Sequence, residues 1–230
     1  MGDHTAAYNS QADQYECLVA HEDYQGNIVQ AINQIRPLAG LDVIDLGAGT
    51  GRLTRLVAPF SRSIVVLDIS PHMLRVAQAK LKQNGWSHWR IAAADHRRLP
   101  VKSHIADVLL AGWTIGQMVA WNLATWKNEV EQTLAEIHRV LRPGGTVIIL
   151  ETLGTGRATP QPNPKLIGYT TYLERVGFSS TCIRTDFEFE SLDQTIALLG
   201  FFFGADAGVQ WAAEYGTTVP ECTGLWWLNV

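Results

Sequence analysis

Cysteine is scarce in this 230-residue chain. Cys17, Cys182 and Cys222 are odd in number and far apart, so no disulfide framework can be read from them. Neither they nor the histidines show metal-ligand spacing, and the expectation is no metal site. Three isolated cysteines fit reduced core thiols in a cytoplasmic protein. Long apolar runs are also missing. No stretch reaches 18 residues, so no membrane-spanning helix and no membrane partner are expected. The opening MGDHTAAYNSQADQYE is polar and has no apolar leader core. Ala6 stands where a myristoylation motif after Gly2 requires Ser or Thr. Charge is sparse at 17% of residues, with a formal net charge of −4. The basic residues form no stripe. Arg52/Arg55 and Arg97/Arg98 come nearest, and two pairs do not make a nucleic-acid footprint.

What is present is a globular composition, 47% hydrophobic with eight tryptophans. Tryptophan at this level serves either core packing or an aromatic-lined cavity. Short apolar runs alternate with helical patterns. LDVIDL (41–46), SIVVLD (63–68), WRIAAA (89–94), ADVLLA (106–111) and TVIILE (146–151) read as buried parallel strands. Helices are expected over 52–59, over 71–83 with Pro71 behind a Ser70 cap, and over 127–141. The last should stop at Arg142-Pro143-Gly144-Gly145, a terminator followed by a turn. Such units imply right-handed crossovers in a doubly wound α/β sheet. Residues 9–37 read as helices over one end. Beyond 163 the pattern gives a helix (165–176), a strand (181–189), a helix (192–203) and a strand (224–230), with 204–220 irregular.

The most informative segment is Val43-Ile44-Asp45-Leu46-Gly47-Ala48-Gly49-Thr50-Gly51. Glycines at every second position let a backbone turn sharply from strand to helix with φ > 0 and approach a ligand closely. Dinucleotide sites use G-x-G-x-x-G, whereas the third position after Gly49 here is Arg52. Asp45 would repel a pyrophosphate and attract a cationic group. S-adenosylmethionine carries an ammonium and a sulfonium, so the charge pattern suits it. Asp68 closes the second strand, at the spacing of an acid that accepts both ribose hydroxyls.

With VIDLGAGTGRLT, VVLDIS, AAADHRRLP, ADVLLAGW and LRPGGTVIILE in this order, the chain resembles class I S-adenosylmethionine-dependent methyltransferases. It lies close to the small-molecule, ubiquinone-biosynthesis-like (type 11) family, over about residues 39–152. The resemblance implies a Rossmann-like, mostly parallel sheet of seven strands whose last two form an antiparallel pair. It implies one methyltransferase domain over 1–230: a helical lid (1–38), a cofactor-binding core (39–152), and C-terminal strands with a helical substrate cap (153–230). It puts Asp45, Gly47, Ala48, Gly49 and Gly51 at the methionine part and Asp68 at the ribose. Ile69, Met73, Asp95 and His96 fall to the adenine. Ala111, Gly112 and Trp113, ending the fourth strand, fall to the methionine part. Tyr8 and Tyr15 match the lid helix that folds over the cofactor, with Tyr15 among the cofactor-binding residues. Gln117 is placed at the methyl-transfer site and Phe202 in the cap over the acceptor. Gly112-Trp113-Thr114-Ile115 replaces the Asn/Asp-Pro-Pro-Tyr/Phe of enzymes acting on nucleic-acid or amide nitrogens, which disfavours those substrates.

The implied activity is in-line methyl transfer to a small acceptor, which mainly needs alignment and exclusion of water. A general base is needed only for a protonated acceptor, and Tyr15, His72, His96 and Glu151 are its candidates. The partner is a small-molecule methyl acceptor, and the chain is a monomer or homodimer. A non-catalytic holder of S-adenosylmethionine or S-adenosylhomocysteine is the alternative; a nicotinamide-dependent reductase is disfavoured by Asp45 and the glycine spacing.

Overall fold

The computed structural model describes residues 12–230, with side chains from residue 14 onward; Tyr8 lies outside the described residues. Two helices come first, α1 (Ala12–Val19) and α2 (Asn27–Ile35). The repeating part follows as β1 (Asp42–Leu46), α3 (Arg52–Val57), β2 (Ser63–Asp68), α4 (Pro71–Gln83), β3 (Trp89–Ala93) and β4 (Ala106–Gly112). Then come α5 (Ile115–Trp121), α6 (Trp126–Val140), β5 (Leu141–Thr155), α7 (Ile167–Arg175) and β6 (Ser179–Arg184). The chain ends with β7 (Phe187–Glu188), α8 (Leu192–Phe203), α9 (Ala205–Tyr215), β8 (Thr218–Val219) and β9 (Glu221–Asn229).

The main sheet has seven strands in the order β3-β2-β1-β4-β5-β9-β6. All neighbours are parallel except β9, which pairs antiparallel with both β5 and β6. Strand order reverses between β1 and β4. The carboxyl ends of strands flanking such a reversal open a crevice between their outgoing loops, where open α/β sheets bind ligands.

The reason for the apolar strand runs is burial on both faces. Ile44, Leu46 and Leu109 pack against Ile115, Val119, Ile137 and Tyr169 from α5, α6 and α7. Val43, Val66, Val108 and Ile148 pack on the other side against Ile28, Ile32, Val57 and Leu81 from α2, α3 and α4. A third cluster joins Leu18 of α1 to Phe187, Leu199 of α8 and Val219. It fixes the first helix against the late ones, above the carboxyl ends of the strands.

Three expectations change. Residues 205–215 form a helix instead of irregular chain. Its signal was masked because it crosses α8 through glycines rather than an apolar stripe: a Cβ on Gly208 would stand 2.6 Å from the Ile196 carbonyl oxygen and 2.7 Å from the Gly200 nitrogen. The expected strand 181–189 is two pieces. Asp186 turns the chain out of the sheet by binding the Arg184 guanidinium (2.8 Å) and the Glu221 N–H (3.0 Å), and Phe187–Glu188 then pairs with β8. Arg142-Pro143-Gly144-Gly145 ends α6 as expected but belongs to the extended β5 rather than a separate turn. Among the described residues, no helix is long and apolar enough to cross a membrane.

Candidate active site

The strand-to-helix turn after β1 is built as its sequence requires. Gly47, Gly49 and Gly51 have φ of 68°, 55° and 81°, a region that side chains disfavour. The close approaches differ between them. A Cβ on Gly47 would lie 2.0 Å from Thr114 Oγ1, whereas nothing lies within 4 Å of one on Gly49. The turn is closed by the Ala48 N–H to the Leu67 carbonyl (2.9 Å) and the Gly51 N–H to the Ala48 carbonyl (2.8 Å). Asp68 ties the ends of β1 and β2 together. Its Oδ2 accepts from the Gly49 N–H (2.8 Å) and its Oδ1 from the Ser70 N–H (2.7 Å).

This turn floors a cavity of about 420 Å³ at the sheet's reversal point, within the size range of small-molecule sites. Of the residues expected at a cofactor or acceptor site, it gathers Tyr15, Asp45, Gly47, Ala48, Gly49, Asp68, Ile69, Met73, Asp95, His96, Gly112, Trp113 and Gln117. Five expected residues are not among its lining. Ala111 is fully buried inside β4. Gly51 sits behind the turn, its Cβ position 3.2 Å from Ala77. His72 is half-exposed on α4. Phe202 packs against Tyr15, with ring centroids 5.7 Å apart. Glu151 is buried under α5, where it accepts from the Gly116 N–H (2.7 Å) and the Tyr169 hydroxyl (3.4 Å).

Asp45 is buried and accepts a hydrogen bond from the Thr54 hydroxyl. Loss of solvation, with a smaller push from Asp68, raises its carboxyl to about 6. Opposite it, Asp95 is gripped by Arg97 through the backbone N–H (2.9 Å) and two guanidinium nitrogens (2.9 and 2.6 Å). Those bonds hold it down to about 2. His96 is half-buried and shares a hydrogen bond with Thr114 Oγ1 (3.2 Å). Burial lowers its imidazole, against the pull of Asp68 and Asp95, which favours the neutral ring. Trp113 has a positive φ of 50°. For a large side chain that conformation is costly and clusters at functional sites.

Sequence reasoning missed Thr50, Arg52, Arg97, Thr114, Met118, Trp121, Asn122 and Glu129, all of which line the cavity. Thr50 and Arg52 lay inside the glycine motif, and the attention given to its glycines hid them. Arg97 follows β3 and is placed by its clasp on Asp95; the others depend on α5 and the start of α6. Seven residues containing Gly116 carry no readable helical period.

Residues 44–149 match the family model described as Methyltransferase domain. This is the stretch that holds the glycine turn, Asp68, Asp95 and the end of β4. Over that stretch, a little under half of its length, the chain is similar to methyltransferase domains. A curated relative, the ubiquinone/menaquinone biosynthesis C-methyltransferase UbiE of Rubrivivax gelatinosus, is 32% identical over 122 residues, 52% of this chain and 43% of that protein. The chain spans less than half the length of the first curated relatives it matches. Among solved structures, the fold is similar to Haemonchus contortus Phospholethanolamine N-methyltransferase 2 in complex with phosphomonomethylethanolamine and S-adenosylhomocysteine. That match has TM-score 0.63 and 16% identity, and covers 99% of this chain and 59% of that one. It is also similar to a SAM dependent methyltransferase from Aquifex aeolicus, with TM-score 0.57, 15% identity, and 87% and 88% coverage.

The space in front of Gly49 is open, and a buried acid, Asp45, is part of the cavity lining. Tyr15 reaches the same cavity from α1. That helix is pinned to the domain through Glu16, which binds Thr50 Oγ1 (2.6 Å), Arg55 Nη2 (2.6 Å) and Lys80 Nζ (2.5 Å). Among the described residues, no group of three or more His, Cys, Asp or Glu is placed to hold a metal.

Proposed function

We propose that this chain transfers a methyl group from S-adenosylmethionine to a small-molecule acceptor in the cytoplasm, by in-line displacement and without a nucleic-acid or membrane partner. The single observation carrying the proposal is one cavity that joins the glycine turn, Asp45 and Asp68 to Tyr15 and Gln117. The bound cofactor supplies a methyl carbon activated by a sulfonium leaving group. The chain supplies alignment and exclusion of water.

In this reading Asp68 accepts from the ribose hydroxyls, while Ile69, Met73, Asp95 and His96 surround the adenine. Asp45, the turn backbone of Gly47, Ala48 and Gly49, and the end of β4 at Gly112 and Trp113 hold the methionine part. Gly51 acts by shaping the turn and Ala111 by holding β4 in register. Tyr15 and Gln117 face the acceptor. Phe202 supports Tyr15 from α8, so residues 12–35 serve as lid and 192–215 as cap. Of the four base candidates, Tyr15 and His96 line the cavity, and His72 and Glu151 do not. The small acceptor is supported by the cavity volume and by the absence of a basic stripe.

Calorimetry with S-adenosylhomocysteine followed by a labelled-methyl screen of small acceptors tests this. Binding with label transfer supports it; binding with no transfer to any acceptor turns the assignment to a cofactor-holding protein. Phe202→Ala should raise the acceptor KM severalfold with cofactor affinity unchanged. The opposite pattern would sink the cap assignment.

A further inference from the structure

Adenine offers a protein two amine hydrogens on N6, beside ring nitrogens that accept. Asp95, the acid expected at this amine, is already largely engaged. Its Oδ1 accepts from the Arg97 backbone N–H and from Nε (both 2.9 Å), and its Oδ2 accepts from Arg97 Nη2 (2.6 Å). A carboxylate has about four lone-pair sites, so about one is left for a ligand. A second carboxylate stands at the far side of the same guanidinium and is engaged less. Glu129, on α6, lines the cavity. Its Oε1 accepts from the Thr125 hydroxyl (2.7 Å). Among the described residues no hydrogen bond reaches its Oε2: Arg97 Nη1 stands 3.7 Å away, outside hydrogen-bond range.

The residue Glu129 is buried, yet its side chain keeps 12% of its surface open. A carboxylate oxygen held in a cavity wall without a donor is costly, so a ligand that brings one is favoured there. The neighbouring groups do not bring it. The Asn122 amide, which lines the same cavity, donates to the Met118 carbonyl (3.1 Å), and the His96 ring is tied to Thr114 (3.2 Å). Nor does Arg97 close the gap, since Nε and Nη2 hold its plane against Asp95. The guanidinium thus spaces two carboxylates in one wall of the cavity. Of the cofactor's groups in the reading above, the adenine is the one beside Asp95 and His96, and N6 is its donor.

We infer that Glu129 Oε2 accepts a hydrogen bond from the N6 amine of the cofactor's adenine, beside the one that Asp95 accepts, and that Glu129 is thereby a specificity residue for the base. The inference rests on the cofactor assignment above and adds a residue to it. A base with a 6-oxo group in place of the amine turns an acceptor towards the carboxylate. Two acceptors then face each other with no proton between them, and the ligand is rejected.

The test uses S-adenosylhomocysteine and S-inosylhomocysteine, which differ only in the base: a carbonyl oxygen replaces the N6 amine, and N1 gains a hydrogen. Their affinities are measured by calorimetry for the unaltered chain, for Glu129→Gln and for Asp95→Asn. Glutamine keeps the shape of Glu129 and can still accept from Thr125, and its amide can donate to a 6-oxo group. A thermal melt without ligand checks that the variant is folded. The unaltered chain should prefer S-adenosylhomocysteine by about tenfold or more, as for a hydrogen bond to a charged group. Glu129→Gln should bring the preference to within about threefold, by weakening S-adenosylhomocysteine and strengthening S-inosylhomocysteine. If Glu129→Gln keeps the full preference and Asp95→Asn removes it, Asp95 alone reads the base and the inference is overturned, although the cofactor assignment stands. If Glu129→Gln weakens both ligands equally, Glu129 only braces α6, and the inference fails. It fails too if the unaltered chain binds both ligands alike. If the unaltered chain binds neither, the cofactor assignment falls and takes this inference with it.

Discussion

Two glycines two residues apart do different work. On Gly47 a methyl group would collide with the Thr114 side chain, and on Gly49 it would stand in open space. Gly47→Ala should therefore cost about 3 kcal/mol or more of stability, from overpacking plus a left-handed backbone. Gly49→Ala should cost only about 1–2 kcal/mol yet weaken S-adenosylhomocysteine binding at least tenfold, because the added methyl occupies the ligand's space. Denaturant melts and calorimetry on the two variants check this, and a Gly49→Ala protein with undiminished affinity would contradict it. Asp45 gives a pH signature. Its carboxyl sits at about 6, so the charge that attracts the ammonium is lost as pH falls below that value. Affinity for S-adenosylhomocysteine should decline from pH 7 to pH 5, and Asp45→Asn should remove the decline. At this scale the sequence was legible where chemistry is carried by spacing. Gly47, Gly49 and Gly51 do take positive φ, and Asp68 does reach the turn. It was silent where a role depends on a distant partner. Nothing near Arg52 announces Glu22 or Trp113, and Thr114 matters only because it fits between Gly47 and His96.

Among the elements, α1 and the segment after it are tied to the sheet's helices by two carboxylates. Glu16 alone meets Thr50, Arg55 and Lys80, and Glu22 meets Arg52. Glu16→Gln should loosen α1 by about 1–2 kcal/mol, because a charged acceptor with three donors is replaced by a neutral amide. Limited proteolysis should then cut within 12–26 faster than in the unaltered chain, and S-adenosylhomocysteine should restore protection. Unchanged cleavage would mean that the apolar contact of Leu18 with Leu199 and Phe187 is sufficient. The long amphipathic helices and both-face-buried strands were readable because their burial imposes a period. Helix α8 spans 192–203 as its pattern requires. Helices α5 and α9 escaped because Gly116 yields room to Glu151, and Gly208 to the backbone of α8. Each follows from a tertiary contact rather than from a local period.

For the whole molecule, the buried acids make stability depend on pH in an unusual direction. Loss of solvation raises Glu151 and Glu221 to about 8, from an ordinary value of 4.5. The native state thus keeps protons that the unfolded chain has already released. Their contribution is full below pH 4.5 and is lost as pH rises through 8. Melting temperature should fall between pH 5 and pH 8, and Glu151→Gln should flatten that fall, since an amide oxygen can still accept from Gly116. A melting temperature that holds steady across this range would count against the buried neutral acids.

The sheet order and the matched segment 44–149 place the glycine turn, the acid closing β2 and the end of β4 around one crevice. The central claim is that this crevice takes a positively charged sulfur nucleoside and not a dinucleotide. Calorimetric titration of the purified chain with S-adenosylhomocysteine, beside NADH and beside the Asp68→Ala variant, tests it most directly. The account predicts one saturable site per chain for S-adenosylhomocysteine, none for NADH, and affinity lowered at least tenfold in Asp68→Ala. No binding of the sulfur nucleoside, or equal affinity in the variant, would contradict it.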